Sequence, residues 1–279
     1  MNARMNRRSL LGVVLALGVA ATGGCLGTGG GTAGGTAGTK AASKAPQSPR
    51  DQLMAALPSD TGPSFEYRVD DLELPYTGVV QPGDRSYTIG IRQKDRDLGF
   101  TMRMDFLVVD TRAWMKVGFS GTEGLTGLPK LPKTWMLLDP KKLDREKAGG
   151  EEAFPLAYGG DTDPGNAAAV FRSIVDVRET GPGRFAGTVD LTREPEADIA
   201  DAKRIKALGE KARSVPFQAV VDAAGRLTST IVDIPAAGRS KAAKYTITYR
   251  SFGSAAKVTE PAPDEQRPAP AEAYRMLQG

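Results

Sequence analysis

Residues 102–119 of this 279-residue chain read MRMDFLVVDTRAWMKVGF. Apolar side chains alternate with polar ones in the first half of this stretch, which is the period of a strand with one covered face. Apolar runs at 106–109 and 113–117 flank Asp110-Thr111-Arg112, whose residue types favour a turn. The stretch therefore predicts an antiparallel hairpin, and sequential antiparallel strands are expected around it.

The same alternation recurs on both sides of the hairpin. It predicts further strands at 65–69, 87–91, 185–191, 215–221, 227–234 and 244–252. Helical signals lie between these strands, at Ser48 to Leu57, at Asp139-Pro140, at Ala167 to Val175 behind a cap by Asp163, and from Glu194-Pro195 to Leu208. The pattern predicts an α+β fold with a curved, mostly antiparallel sheet, a half-barrel, packed around a few helices. Whether the half-barrel encloses a cavity or a filled core stays open at this point.

The N-terminus has the pattern of a bacterial lipoprotein signal peptide. Arg7-Arg8 precede an apolar run from Ser9 to Ala21, and Thr22-Gly23-Gly24 lead to Cys25, the only cysteine in the chain. The apolar run is too short to span a bilayer comfortably, which favours a signal peptide over residues 1–24. Cys25 is then the predicted lipid attachment site, although Thr22 stands where lipoproteins usually carry Leu. The alternative is an ordinary secretory signal cut near Gly24.

The rest of the chain divides into three parts. Residues 25–47 are rich in Gly, Thr and Ala and predict a flexible tether. Residues 48–263 form one predicted domain, and residues 264–279 are expected to be a proline-rich tail. The protein is accordingly expected on the outer face of the cell membrane, anchored through a diacylglycerol on Cys25.

Charge and composition exclude several function classes. The net charge of +4 includes three arginines within residues 1–24, which contain no acid, so the mature chain carries about +1. This balance predicts no nucleic-acid partner. The chain contains no histidine, which excludes Ser-His-Asp and Cys-His catalysis. No phosphate-binding glycine motif is present, and we expect neither a cofactor nor enzymatic activity.

Clusters of acidic residues are the remaining candidates for a metal site or a catalytic site. Gly159 to Asn166 places Asp161 and Asp163 at alternate positions, as in a calcium loop, but the distal glutamate that such a loop needs is missing. The alternative is a loop in which Asp163 caps the following helix, and no metal site is predicted. Other carboxylate pairs, such as Glu151-Glu152, lie among Gly, Lys and Pro and indicate exposed turns rather than a glycosidase cleft.

The order of features along the chain resembles a known family. The chain begins with a lipobox, the lipoprotein signal motif that ends at Cys25, and continues with the Gly-rich tether. The features that follow, in chain order, are 106–110 leading into 114–117, Trp135 before 137–140, the strand 183–189, the hairpin at 220–222, and 249–253 before Pro261-Ala262-Pro263. This order, over roughly residues 50–263, resembles the LppX/LprG lipoproteins, relatives of LolA and LolB.

The resemblance implies a hydrophobic half-barrel cavity for acyl chains and a role in carrying or presenting lipids or lipoproteins in the cell envelope. The residues expected to line the cavity are Met102, Met104, Phe106, Val108, Met115, Phe217, Tyr245 and Ile247. The alternative for each is an ordinary core position. The interior would then be filled, and loops at 118–130 and 151–160 would bind a membrane protein partner, as in a sensor or assembly factor.

Overall fold

The computed structural model describes residues 47–70, 72, 74–143, 156–194 and 199–278. The predicted signal peptide, Cys25 and all but the last residue of the predicted tether lie outside the described residues. Within the described ranges, no helix combines the length and the apolar character needed to cross a membrane.

One sheet of twelve strands dominates the described residues. The strands are β1 Phe65–Asp70, β2 Tyr76–Gln81, β3 Ser86–Lys94, β4 Thr101–Val109, β5 Arg112–Ser120, β6 Trp135–Leu137, β7 Ile174–Gly181, β8 Arg184–Val189, β9 Val215–Val221, β10 Leu227–Ile234, β11 Ala243–Arg250 and β12 Gln266–Pro268. Their order is β12-β6-β5-β4-β3-β2-β1-β11-β10-β9-β8-β7. Every neighbouring pair is antiparallel except β12 and β6, and the curved sheet does not close.

Four short α-helices accompany the sheet in the described residues: α1 Pro49–Ala55, α2 Ala167–Arg172, α3 Ala202–Leu208 and α4 Ala271–Gln278. The first helix begins as the sequence predicts, because the Ser48 hydroxyl accepts a hydrogen bond from the Asp51 N–H at 3.2 Å and Pro49 occupies the first turn. Strands and helices together confirm the α+β class with a mostly antiparallel sheet.

The antiparallel hairpin predicted over residues 102–119 is confirmed. Strands β4 and β5 pair from Thr101 with Ser120 to Val109 with Arg112. Asp110 in the two-residue turn has φ of 50°, in the left-handed region that tight hairpins require and that Asp tolerates. The hairpin of β9 and β10 and the closing strand β11 are likewise present where the alternation predicts them.

The helix predicted over Ala167 to Val175 is wrong in its last turn. Helix α2 ends at Arg172, and strand β7 begins at Ile174 and pairs with β8. Ile174, Val175 and Val177 are β-branched, so they favour an extended backbone once a partner strand is available. Helix α3 begins after Asp201, whose side chain accepts from the Arg204 N–H at 2.6 Å; the predicted helix start at Pro195 lies outside the described residues.

The proline content predicts a tail over residues 264–279, but residues 264–278, which the structure describes, belong to the fold. Strand β12 extends the sheet beside β6, and α4 buries Ala273 and Tyr274 in the main core. The Trp114 indole N–H donates to Gln266 Oε1 at 2.8 Å, and the Asp139 N–H donates to the Tyr274 hydroxyl at 2.8 Å. Prolines at a sheet edge or in a first helical turn are compatible with such order.

The two faces of the sheet carry different cores. The inner face, from which Phe106, Val108 and Met115 project, packs with all four helices into one large apolar cluster. The outer face has a smaller cluster of Leu107, Trp114 and Val258, over which the chain passes after β11. Both faces of the β4–β5 hairpin are therefore buried near its turn.

Candidate functional site

All eight predicted cavity residues belong to the inner face and contact the main core. Six of them expose at most 3% of their surface: Phe106, Val108, Met115, Phe217, Tyr245 and Ile247. A side chain that borders a void large enough for water keeps accessible surface on that side. These six residues consequently border no sizeable void, and they pack as a filled core does.

Helix α2 and the loop before it cover the inner face at β9 and β11. The Tyr245 hydroxyl donates to the Gly165 carbonyl at 2.9 Å. A Cβ placed on Gly165 would lie 2.8 Å from Ile247 Cγ2, so the loop backbone rests directly on that side chain. The rings of Phe171 and Phe217 have centroids 6.4 Å apart.

Asp163 holds this covering loop in place. Its carboxylate accepts from the Tyr249 hydroxyl at 2.6 Å and from the amides of Ala167 and Ala168 at 3.0 and 2.7 Å. Burial raises the pKa of Asp163 above its usual value, against the lowering effect of these hydrogen bonds. The stretch that resembles a calcium loop therefore forms the helix cap, and no three acidic or cysteine side chains converge within the described ranges.

The other two candidates, Met102 and Met104, are only partly buried. They lie at the end of β4 remote from its turn, beside the partly buried Ile91 and Phe119 of the neighbouring strands. We call Ile91, Met102, Met104 and Phe119 the inner-face patch. The patch packs against the main core and reaches the protein surface. The eight candidates therefore fall into two groups, six fully packed residues and the partly exposed pair Met102 and Met104.

A groove of about 510 Å³ lies beside this patch, along the edge of β5. We call it the β5 edge groove; its described lining residues are Arg103, Asp105, Lys116, Val117, Gly118, Phe119, Pro129, Leu131 and Lys133. Arg103 Nε lies 2.7 Å from Asp105 Oδ2, and the Lys116 ammonium stands over the Trp135 ring at 5.9 Å from its centroid.

None of the eight predicted residues belongs to the lining of the β5 edge groove. The alternation of Arg103, Asp105 and Lys116 with apolar residues indicates a polar outer face at this position. The approach of residues 129–133 to that face has no such local signal, because this segment shows neither strand nor helix periodicity.

Comparison with models of known protein families gives no match to this chain. No curated protein matches its sequence either. The resemblance to the LppX/LprG lipoproteins therefore stays a prediction.

Proposed function

We propose that this protein is an extracytoplasmic lipoprotein that binds the acyl chains of a membrane lipid or lipoprotein and carries or presents them in the cell envelope. The observation that supports the proposal is the inner-face patch, where the apolar face of the curved sheet continues from buried core residues to partly exposed ones.

The patch has the chemistry that an acyl chain needs. Met102 and Met104 are unbranched and adaptable, and Phe119 adds an aromatic wall in contact with the ring of Phe100, 6.2 Å between centroids. Each methylene buried there contributes about 0.8 kcal/mol, so affinity can come from apolar burial without any reaction. No catalytic group is part of the proposal.

The same end of the sheet is suited to contact a membrane. The turn between β3 and β4 exposes Leu98, of which 59% is accessible. Arg92, Lys94 and Arg96 are exposed beside it. The same turn contains Asp95 and Asp97, so residues 92–98 carry a net charge of about +1. An exposed leucine in such a turn can insert into a bilayer while the neighbouring cations meet anionic headgroups. The proposal therefore orients the inner-face patch toward the membrane.

Cys25 would supply the anchor, and residues 25–47 the tether, with a typical reach on the order of 25 Å. Replacing the thiol removes the only group that the lipobox can modify. We expect Cys25→Ala to move the protein from the membrane fraction to the soluble fraction after export, measured by fractionation and immunoblotting. Retention of the variant in the membrane fraction would contradict the anchor.

A second candidate function rests on the six packed residues. A filled inner face is what a sensor or assembly factor needs when it acts through its surface on a membrane protein partner. This alternative keeps the anchor and the tether but has no acyl ligand.

Native mass spectrometry separates the two candidates. The protein is purified from its own host membranes, and its mass is compared before and after organic extraction. We expect a mass excess that extracts as a defined acyl lipid. A mass that remains that of the lipidated chain alone, even after incubation with total host lipids, would refute acyl binding and favour the partner-binding alternative.

A further inference from the structure

Strand β5 has an open edge along part of its length. Strand β6 pairs with β5 only at Trp114 and Met115. From Val117 to Ser120, no described residue forms a backbone hydrogen bond to this edge of β5. An unpaired strand edge of this kind is a template for another strand.

The backbone groups of the open edge point into the β5 edge groove. In an antiparallel pair, alternate residues direct both N–H and C=O to the same side. The Ala113 carbonyl accepts from the Leu138 N–H at 2.9 Å, away from β4, so Met115, Val117 and Phe119 direct their backbone groups the same way. Val117 and Phe119 both line the groove. Their backbone N–H and C=O groups give the groove two hydrogen-bond donors and two hydrogen-bond acceptors.

The walls of the groove are apolar on one side and cationic on the other. Phe119, Pro129 and Leu131 supply the apolar wall, whereas the lining residue Val117 has only 5% of its surface exposed and packs its side chain in the main core. Arg103, Lys116 and Lys133 supply positive charge, and the one acid of the lining, Asp105, is paired with Arg103. Within the described part of the chain, no acidic side chain forms a salt bridge with Lys116 or Lys133.

We propose that the β5 edge groove binds an extended acidic segment of a partner protein, which adds to the sheet as a strand beside β5. The segment exchanges backbone hydrogen bonds with Val117 and Phe119, and its acidic side chains meet Lys116 and Lys133. This is strand addition, in which main-chain bonds give affinity and alternate side chains give selectivity. Gly118 leaves the approach open, because a Cβ there would meet nothing within 4 Å.

The groove fits a peptide better than an anionic lipid headgroup. A phosphate or carboxylate head accepts hydrogen bonds from N–H groups but does not donate to the carbonyls of Val117 and Phe119. A strand satisfies donors and acceptors together, at a repeat of about 6.8 Å for every second residue. The inference does not depend on acyl binding, and it gives the partner-binding alternative a definite surface.

Selection from a random peptide library on the immobilised full chain tests the proposal. We expect enrichment of peptides of about six residues in which acidic and β-branched residues alternate. Val117→Pro removes one groove-facing donor and no bond to β4, so it should abolish enrichment. Because it also changes a buried core side chain, circular dichroism of the variant has to show that the sheet remains. The double variant Lys116→Gln, Lys133→Gln should weaken binding of an enriched peptide by at least about tenfold.

A remote lysine variant, a charge-reversal variant and hydrogen exchange serve as controls for peptide binding at the groove. Lys206→Gln with Lys211→Gln removes two exposed lysines remote in the fold and should leave binding unchanged. Lys116→Glu with Lys133→Glu should shift selection to basic peptides, which tests the groove even where Val117→Pro fails to fold. Hydrogen exchange should slow at residues 117–119 when an enriched peptide is bound.

Either of two outcomes overturns the proposal. One is a selection in which the wild-type protein enriches acidic peptides no more than the Val117→Pro variant does. The other is binding to phosphatidylglycerol vesicles that needs Lys116 and Lys133 but is unaffected by Val117→Pro, because that result would assign the groove to a lipid headgroup.

Discussion

Val108→Asp is expected to unfold the protein, whereas Met104→Asp is expected to leave it folded and abolish acyl-chain binding. Both residues belong to the inner face of β4, four positions apart. Val108 has no accessible surface, so a carboxylate there would be buried without a partner, at a cost of several kcal/mol. A domain with about 5–15 kcal/mol of total stability does not tolerate that cost well.

Met104 differs because it belongs to the inner-face patch. A carboxylate at this partly buried position can reach water, so we expect a loss of only about 1 kcal/mol. It would nevertheless place a charge on the surface that an acyl chain has to cover, and this removes the favourable burial. Urea unfolding followed by circular dichroism measures stability, and native mass spectrometry measures bound lipid.

Val175→Asp is the matched control for both variants. Val175 is an apolar residue of edge strand β7 with 51% of its surface exposed, so the same change should affect neither stability nor lipid binding. If Met104→Asp also unfolds the protein, the inner-face patch is ordinary core. If it stays folded and keeps its lipid, the acyl site lies elsewhere. Both results contradict the proposed site.

Local periodicity explains why much of the sheet could be predicted. The period of two along 102–108 assigns Met102, Met104, Phe106 and Val108 to one face, and the structure has them there. The turn at Asp110 follows from local chemistry in the same way. These features depend on neighbours in sequence, which is the information that a pattern contains.

Features that depend on distant chain segments could not be predicted in this way. Alternation places Trp114 on the sheet face that does not carry Ala113 and Met115, yet all three residues are buried. The cause is the C-terminal segment, whose Val258 packs on Trp114 and whose Gln266 accepts its indole N–H. Nothing near Trp114 in the sequence indicates this cover.

The same reason limits prediction of the site. The inner-face period identifies which residues could meet a ligand, but not which of them helix α2 and the Asp163 loop already cover. Gly165 resting on Ile247 is a contact across 82 positions of sequence. The β5 edge groove likewise depends on β6 pairing with only two residues of β5, which composition does not reveal.

Asp163→Ala is expected to destabilise the protein by about 3 kcal/mol, because it removes a helix cap and leaves the buried Tyr249 hydroxyl without its acceptor. Asp161→Ala is the matched control. Asp161 is exposed, and its side chain accepts from the Asp163 N–H, so its loss should cost less than about 1 kcal/mol. Equal losses for the two variants, by urea unfolding at pH 7, would contradict the role of Asp163.

The pH dependence of stability provides an independent test of the same carboxylate. Burial raises the pKa of Asp163 above 3.8, so between 3.8 and the raised value the folded state binds more protons than the unfolded state. The contribution of Asp163 to the free energy of unfolding is therefore largest below pH 3.8 and falls as pH rises through that window. Asp163→Asn has no proton to lose, so the stability difference between wild type and this variant should decrease with rising pH and then level off. A difference that grows with pH would mean that the fold favours the charged carboxylate, and that hydrogen bonds from Tyr249 and α2 outweigh its burial.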